Sequence, residues 1–300
     1  MSDIYKPGWQ SHEYHRLSRT QRAAIATEVD RLFREQTGVS RRLDPTSSKD
    51  LELRRKWLRI RDTVMDKHED EINEEIDAMR RDSILPEIPD EMEWMGWKQA
   101  AQLLETWFER SPAIAPNYSA PVTNIIKMDW VLQFGRAKLA YDQIFNERIW
   151  TNDASRRRMA AILKQKPRAA GQQWGDLSKP VTTVDEEWIN ARPVSNGLNF
   201  DAMSGALGAF ELQVAFAGTL LSIGSGEFQV SIEEIGIYVK DSFDFNGSQF
   251  LGFWGYRDDP INNDDFRQWR AQNNAGGDFR VFSDVKRTKL TTPDLVKGSL

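Results

Sequence analysis

Two hydrophobic periods divide the chain. In the first half apolar residues return every three or four positions. Ile25, Val29, Leu32 and Phe33 follow Thr20 at this spacing, with Gly38 where a helix would stop. Pro45, Thr46 and Ser47 offer the start of a second helix with the stripe Leu53, Trp57, Ile60, Val64, His68, Ile72, Ile76 and Met79. Unbroken from Lys49 to Asp82, it would extend roughly 50 Å at about 1.5 Å per residue. Pro86 and Pro89 close it. Asp90 offers a cap for the next helix, with Trp94, Trp97, Ala101, Leu104, Trp107 and Phe108 on its face. Prolines between Ser111 and Pro121 force a loop. Met128 to Trp150 is helical again through Trp130, Phe134, Ala137, Tyr141, Ile144 and Phe145, and Asp153 caps a shorter helix through Met159, Ile162 and Leu163.

From Lys166 to Asn199 the periodic apolars give way to Gly, Pro, Gln and Asn, which marks a connection. Beyond it Phe210, Leu212, Val214 and Phe216 alternate with Glu211, Gln213 and Ala215, the period of a strand with one buried face. A second strand runs Phe228, Val230, Ile232 and then changes phase to Ile235, Ile237, Val239. That shift requires a bulge or kink at Glu233-Glu234. Asn246-Gly247 predicts a hairpin between Phe243–Phe245 and Phe250–Trp254, and Phe279–Phe282 reads as the last strand. The expected fold class is α+β. A helical region over 1–165 serves loading, docking or scaffolding, 166–200 connects, and a mostly antiparallel β region over 201–300 carries the candidate site.

Composition narrows the chemistry. The 300 residues are 40% hydrophobic and 28% charged, enough to bury a sizeable core. A net charge of −5 gives no basic field for nucleic acid, and the local clusters Arg54-Arg55-Lys56, Arg80-Arg81 and Arg156-Arg157-Arg158 are flanked by acids, as solvated helix faces are. Residues 1–9 hold no apolar signal core, so no cleaved leader is expected. The most apolar window, Gly205 to Ile223, is broken by Glu211 and Gln213, so no transmembrane segment is expected. There is no Cys, and the three histidines, His12, His15 and His68, all lie near the start. The remainder therefore cannot build a Ser-His-Asp triad, a Cys-His pair or a zinc site, and no zinc or haem is expected. No Gly-rich phosphate loop, nucleophile elbow or kinase motif set is present.

Oxygen chemistry remains. Asp241 and Asp244, three apart at a strand end, suit an acid–base pair or ligands for Mg²⁺ or Ca²⁺. Tyr256 and Arg257 supply partners for an oxyanion, completing a candidate catalytic set of Asp241, Asp244, Tyr256 and Arg257. Arg267 is the candidate for holding an anionic group, and Trp254 and Trp269 for the floor beneath it; Asp264-Asp265 add acids to the following loop. The competing reading is structural: short acids and Asn also serve turns by bonding to nearby backbone.

Three segments carry a resemblance: Thr37–Pro45 leading to Arg55–Asp62, Met128–Ala137, and Ile237–Gly247 with Gly277–Lys286. They resemble a family of bacterial proteins of unassigned function encoded beside spike-protein genes of the type VI secretion system. The resemblance covers most of the chain from about Thr20 on. It implies an antibacterial cargo effector made in the bacterial cytoplasm and exported without a cleaved signal peptide, with the target-cell periplasm as a site of action. Its partners would be a secretion spike or adaptor protein and a cognate immunity protein. Asp241-x-Phe-Asp244 is also similar to the Asp-x-Tyr-Asp core of colicin M-like bacteriocins, which cleave a lipid-linked pyrophosphate; here Phe243 replaces the Tyr and the His-Arg follow-up is absent. Two other readings stay open: a non-enzymatic toxin perturbing membranes through Phe210–Ile223, and a structural or adaptor protein using the long charged helix.

Overall fold

The computed structural model describes residues 19–40, 48–67, 85–112, 119–196, 200–254 and 259–300. The protein is α+β, with helices in the N-terminal part and antiparallel strands in the C-terminal part. It divides into two compact units: residues 1–112 with 245–276, and residues 113–244 with 277–300. These bounds differ from the sequence division at 165 and 200. Periodicity reports what each segment folds into, whereas the units depend on which distant segments pack together.

In the first unit, α1 (Arg19–Thr37) and α2 (Ser48–Lys67) form a helical pair. Ile25, Val29 and Phe33, one turn apart, pack in one core cluster with Ile60, Val64 and Met65. The Trp57 indole donates to the Asp30 carboxylate at 3.1 Å. The expected extension of α2 to Asp82 and all three histidines lie outside the described residues. Helices α3 (Ile88–Trp94) and α4 (Lys98–Glu109) follow, and α4 buries Ala100, Ala101, Leu103, Leu104 and Trp107.

Residues 245–276 return to this unit as a small hairpin and a helix. Strand β4 of the main sheet (Glu227–Phe243, below) ends at Phe243, so the hairpin expected across Asn246-Gly247 does not form. Instead β5 (Phe250–Trp254) pairs with β6 (Asp259–Asn262). Asp264 and Asp265, expected in a loop, open a helix, Asn263–Asn273. Asn262 and Asp265 form its capping box: the Asn262 side chain accepts from the Asp264 N–H at 2.7 Å, and the Asn262 N–H donates to Asp265 at 2.8 Å.

The second unit is built on two long antiparallel strands, β3 (Phe210–Gly224) and β4. The outer edge of β3 carries β1 (Gln173–Trp174) and β2 (Asn190–Val194); that of β4 carries β7 (Phe279–Phe282) and β8 (Lys286–Ser299). The segment read as a connection thus supplies two strands and the short helix Val181–Val184, whose valines pack with Leu177 on Ala215, Tyr238 and Phe282. Met128–Trp150 is interrupted at 132–134, where Phe134 is extended, and forms two helices, Met128–Val131 and Gly135–Asn146, with a 3₁₀ turn at Ile149–Thr151. Asn152, one residue before the expected cap, accepts from the Ser155 N–H at 3.0 Å and starts the helix Asp153–Gln165.

The phase change in β4 is a bulge. Ala217 pairs with Glu234 and Gly218 with Ile232, leaving Glu233 as the extra residue. The backbones approach so closely there that a Cβ on Gly218 would stand 2.0 Å from the Ser231 carbonyl oxygen. The true last strand is β8. Its sequence hides it because, among the described residues, β8 pairs with β4 alone and buries little beyond Asp294 and Val296. Asp294 is held by the Trp150 indole at 2.8 Å and Arg148 Nε at 3.1 Å, so a polar residue occupies an inward position.

Candidate functional site

The strand register creates a notch. Pairing between β3 and β4 ends at Glu211 with Lys240, whereas β4 and β7 remain paired out to Phe243 with Phe279. Strand β4 therefore overhangs the start of β3, and a pocket of about 580 Å³ occupies the step. Pro193, Val194 and Ser195 at the end of β2 form one wall, and Ala209, Phe210 and Glu211 another. The overhang contributes Lys240, Asp241 and Ser242, and β7 contributes Arg280. Every described lining residue belongs to the second unit. A concave site with an apolar floor and a few convergent polar groups is the usual form of a small-ligand pocket.

Asp241 is the electrostatic centre of the notch. Desolvation by the surrounding protein pushes its carboxyl well above the usual carboxylate range. The Ser242 backbone N–H pulls the other way, and the charges of Asp244 and Glu211 raise it further. The carboxyl therefore holds its proton to higher pH than an ordinary aspartate. Lys240 does not neutralise it: its ammonium is bonded to Asp185 at 2.7 Å. Asp185 also accepts from the buried Tyr238 hydroxyl at 2.8 Å. Burial and the Asp185 charge push the Tyr238 phenol upward, so it stays a neutral donor behind the pocket.

The wall at Ser195 is braced by a polar cluster. Arg136 reaches both carboxylate oxygens of Asp201 at 2.7 and 2.8 Å, and its guanidinium also donates to Asn196 and Ser204. Asp201 caps the helix Ala202–Leu207, which leads into β3, by accepting from the Ser204 N–H at 2.9 Å. The Arg136 hydrogen bonds hold the Asp201 carboxyl at about 2, below its ordinary 3.8. A depressed carboxyl stabilises the fold above its unfolded value, and that contribution is lost as pH falls through the folded value. Asp201→Asn is therefore expected to cost roughly 1 kcal/mol at neutral pH, discounted for the solvent exposure of the pair. The gap should close near pH 2, as acid-denaturation curves of the two chains would reveal.

The structure brings together Asp241 and Asp244, the latter half-buried just past the end of β4 and close enough for its charge to act on Asp241. The other described members of the predicted set belong to the first unit, where their contacts are with its own residues. Trp254 is buried, edge-on to Trp97 at 6.1 Å between ring centroids, and its indole donates to the Leu251 carbonyl. Trp269 packs on Phe108 and Trp107. Arg267 donates to the carbonyls of Phe245 and Gly247 and pairs with Asp264, which fastens the turn instead of presenting a free cation. Tyr256 and Arg257 lie outside the described residues. Among the described residues no group of three His, Asp or Glu side chains is arranged to hold a metal ion, and no helix is long and apolar enough to cross a membrane.

Sequence reading missed Ser195, Glu211, Lys240, Ser242 and Arg280 as lining residues. The available signal was Arg280, a charge set between Phe279 and Val281 in a strand.

Together these features define an α+β protein with a notch of mixed charge, holding Glu211, Lys240, Asp241 and Arg280, at the end of its main sheet. The chain belongs to a family of unknown function, DUF6402, whose model matches residues 84–258 and 256–297. The match runs through both units and leaves α1 and α2 outside it. No curated protein and no solved structure matches the chain significantly.

Proposed function

We propose that the protein is a type VI secretion-associated antibacterial effector, and that its chemistry is acid–base hydrolysis of an envelope component in the Asp241 notch. The observation that carries the reading is a proton-holding carboxyl in an open pocket beside a second acid. Two carboxyls whose environments differ divide into acid and base. Asp241 delivers its proton to the leaving oxygen while Asp244 takes one from the attacking water, whose oxygen forms the new bond. The effector assignment rests on the resemblance of Ile237–Gly247 and Gly277–Lys286, the segments that supply Lys240, Asp241, Ser242 and Arg280 to the notch. The α1–α2 pair, lying outside the family match, suits a loading or docking role toward a spike or adaptor protein. A membrane-perturbing role finds no support in Phe210–Ile223, whose apolar side chains at Phe210, Leu212, Val214, Phe216 and Leu220 are buried in the sheet core.

The test is growth of a susceptible bacterium expressing the chain with and without a periplasmic leader, beside Asp241→Asn. Killing confined to the periplasm and reduced at least about 100-fold by the variant is expected for loss of a general acid. Equal killing by the variant would refute the acid–base site, and no killing in either compartment would refute the effector reading.

A further inference from the structure

Arg280 differs from the other half-buried arginines of its unit. Arg136 is paired with Asp201, Arg168 with Glu187 and Arg192 with Glu147, while Arg158 donates to the Trp188 carbonyl at 3.2 Å and lies over the Trp188 ring. Arg280 is half-buried too, yet among the described residues its guanidinium has no ion pair and no side-chain hydrogen bond. A cation partly removed from water without a counter-charge is costly unless something supplies the missing acceptor. It lines the notch, directly across the strand pair from Ser242, so the two side chains share one face of the sheet. The nearby ammonium of Lys240 is already committed to Asp185.

We propose that Arg280 and Ser242 form an anion subsite that recognises a singly charged oxyanion, a carboxylate or a phosphodiester, on the molecule bound in the notch. The planar fork of a guanidinium matches two oxygens of such a group, and the Ser242 hydroxyl supplies a further donor. The single charge follows from the surroundings. Glu211 lines the same pocket, its carboxylate accepting from the Gln213 amide at 2.7 Å, and would repel a dianion, for which the described lining holds no second free cation. The inference deepens the proposed function by giving the chemical class of its substrate. Asp241 precedes Ser242 on β4 and pairs with Val281, so its side chain leaves the opposite face of the strand, and a molecule held by Arg280 would have to pass around the unpaired edge of β4 to reach it.

The probes are dimethyl phosphate and acetate, titrated into the full chain while the Nε–H resonance of Arg280 is followed by NMR. A saturable shift is expected with at least one of them, and Arg280→Gln should weaken that binding at least about tenfold, as followed on the Ser242 amide. Saturation by dimethyl phosphate alone assigns a phosphodiester, and by acetate alone a carboxylate. Arg280→Lys, which keeps the charge and loses the fork, should bind more weakly than the parent and decides the matter should the Gln variant not fold. No saturable shift with either anion, or unchanged affinity in a folded variant, would overturn the subsite. The two proposals fail separately: undiminished killing by Asp241→Asn alongside saturable binding at Arg280 removes the hydrolytic reading and leaves the subsite.

Discussion

Trp107→Ala is expected to cost about 3–5 kcal/mol of stability, the usual range for emptying a large aromatic site in a core. The residue is fully buried on α4. Its indole meets Phe108, Phe245 and Phe266 edge-on at centroid distances of 5.2, 4.8 and 5.5 Å, and Trp269 at 5.9 Å. The Arg270 guanidinium lies 5.1 Å from the ring centroid. Phe245 and Phe266 stack on each other at 3.9 Å, which leaves them little freedom to fill the hole. Gly276 shows how close the packing is: at φ 92° it stands so near that a Cβ there would lie 2.4 Å from the indole. Because the ring joins α4 to residues 245–276, its loss should release that returning segment first. Urea denaturation would register the fall in stability, and hydrogen exchange would show the fastest gain over 245–276. A cost below about 1 kcal/mol would contradict the assignment of Trp107 as the centre of this core.

Asp241→Asn is expected to raise stability while it removes function. Asp241 keeps its proton in the folded chain over a pH range where the unfolded chain has released it. The folded state then binds more protons than the unfolded one, so stability falls as pH rises from the ordinary carboxylate range through the raised folded value. Asn has nearly the same shape and carries no charge. It should escape both the desolvation and the repulsion from Asp244 and Glu211, so the variant should be the more stable at neutral pH. Below about pH 3 the native carboxyl is neutral in both states and the gain should vanish. A residue kept at a cost in stability, in a pocket, is the pattern of a working group and not of a turn-forming acid.

How much of this could be read from the sequence depended on whether the determinant was local. The alternation Phe210, Leu212, Val214, Phe216 marks β3 because one face of that strand is buried, and the phase change after Ile232 marks the Glu233 bulge because side chains alternate strictly. The helix after Asn262 was as legible in principle, since Asn262 and Asp265 stand three apart as a capping box requires. The density of aromatics and acids there instead suggested strands and turns. Strand β8 was hidden because Asp294 occupies an inward position where an apolar residue is expected. Sequence marks Trp254 and Trp269 as a candidate floor, whereas Trp254 is buried and Trp269 half-buried against Trp107 and Phe108, a distinction that needs the knowledge that 245–276 packs on α4. Asp241 stood out as an acid beside aromatics, but the notch arises from the offset between the ends of β3 and β4, and that offset is tertiary.

The most direct test of the account is the unfolding free energy of the chain and of Asp241→Asn, measured by urea denaturation from about pH 4 to about pH 8. The account predicts that the variant is the more stable and that its advantage widens with pH across this range. A variant that is less stable than the parent, or whose difference from it does not change with pH, would contradict the claim that the notch holds Asp241 as a proton-bearing acid.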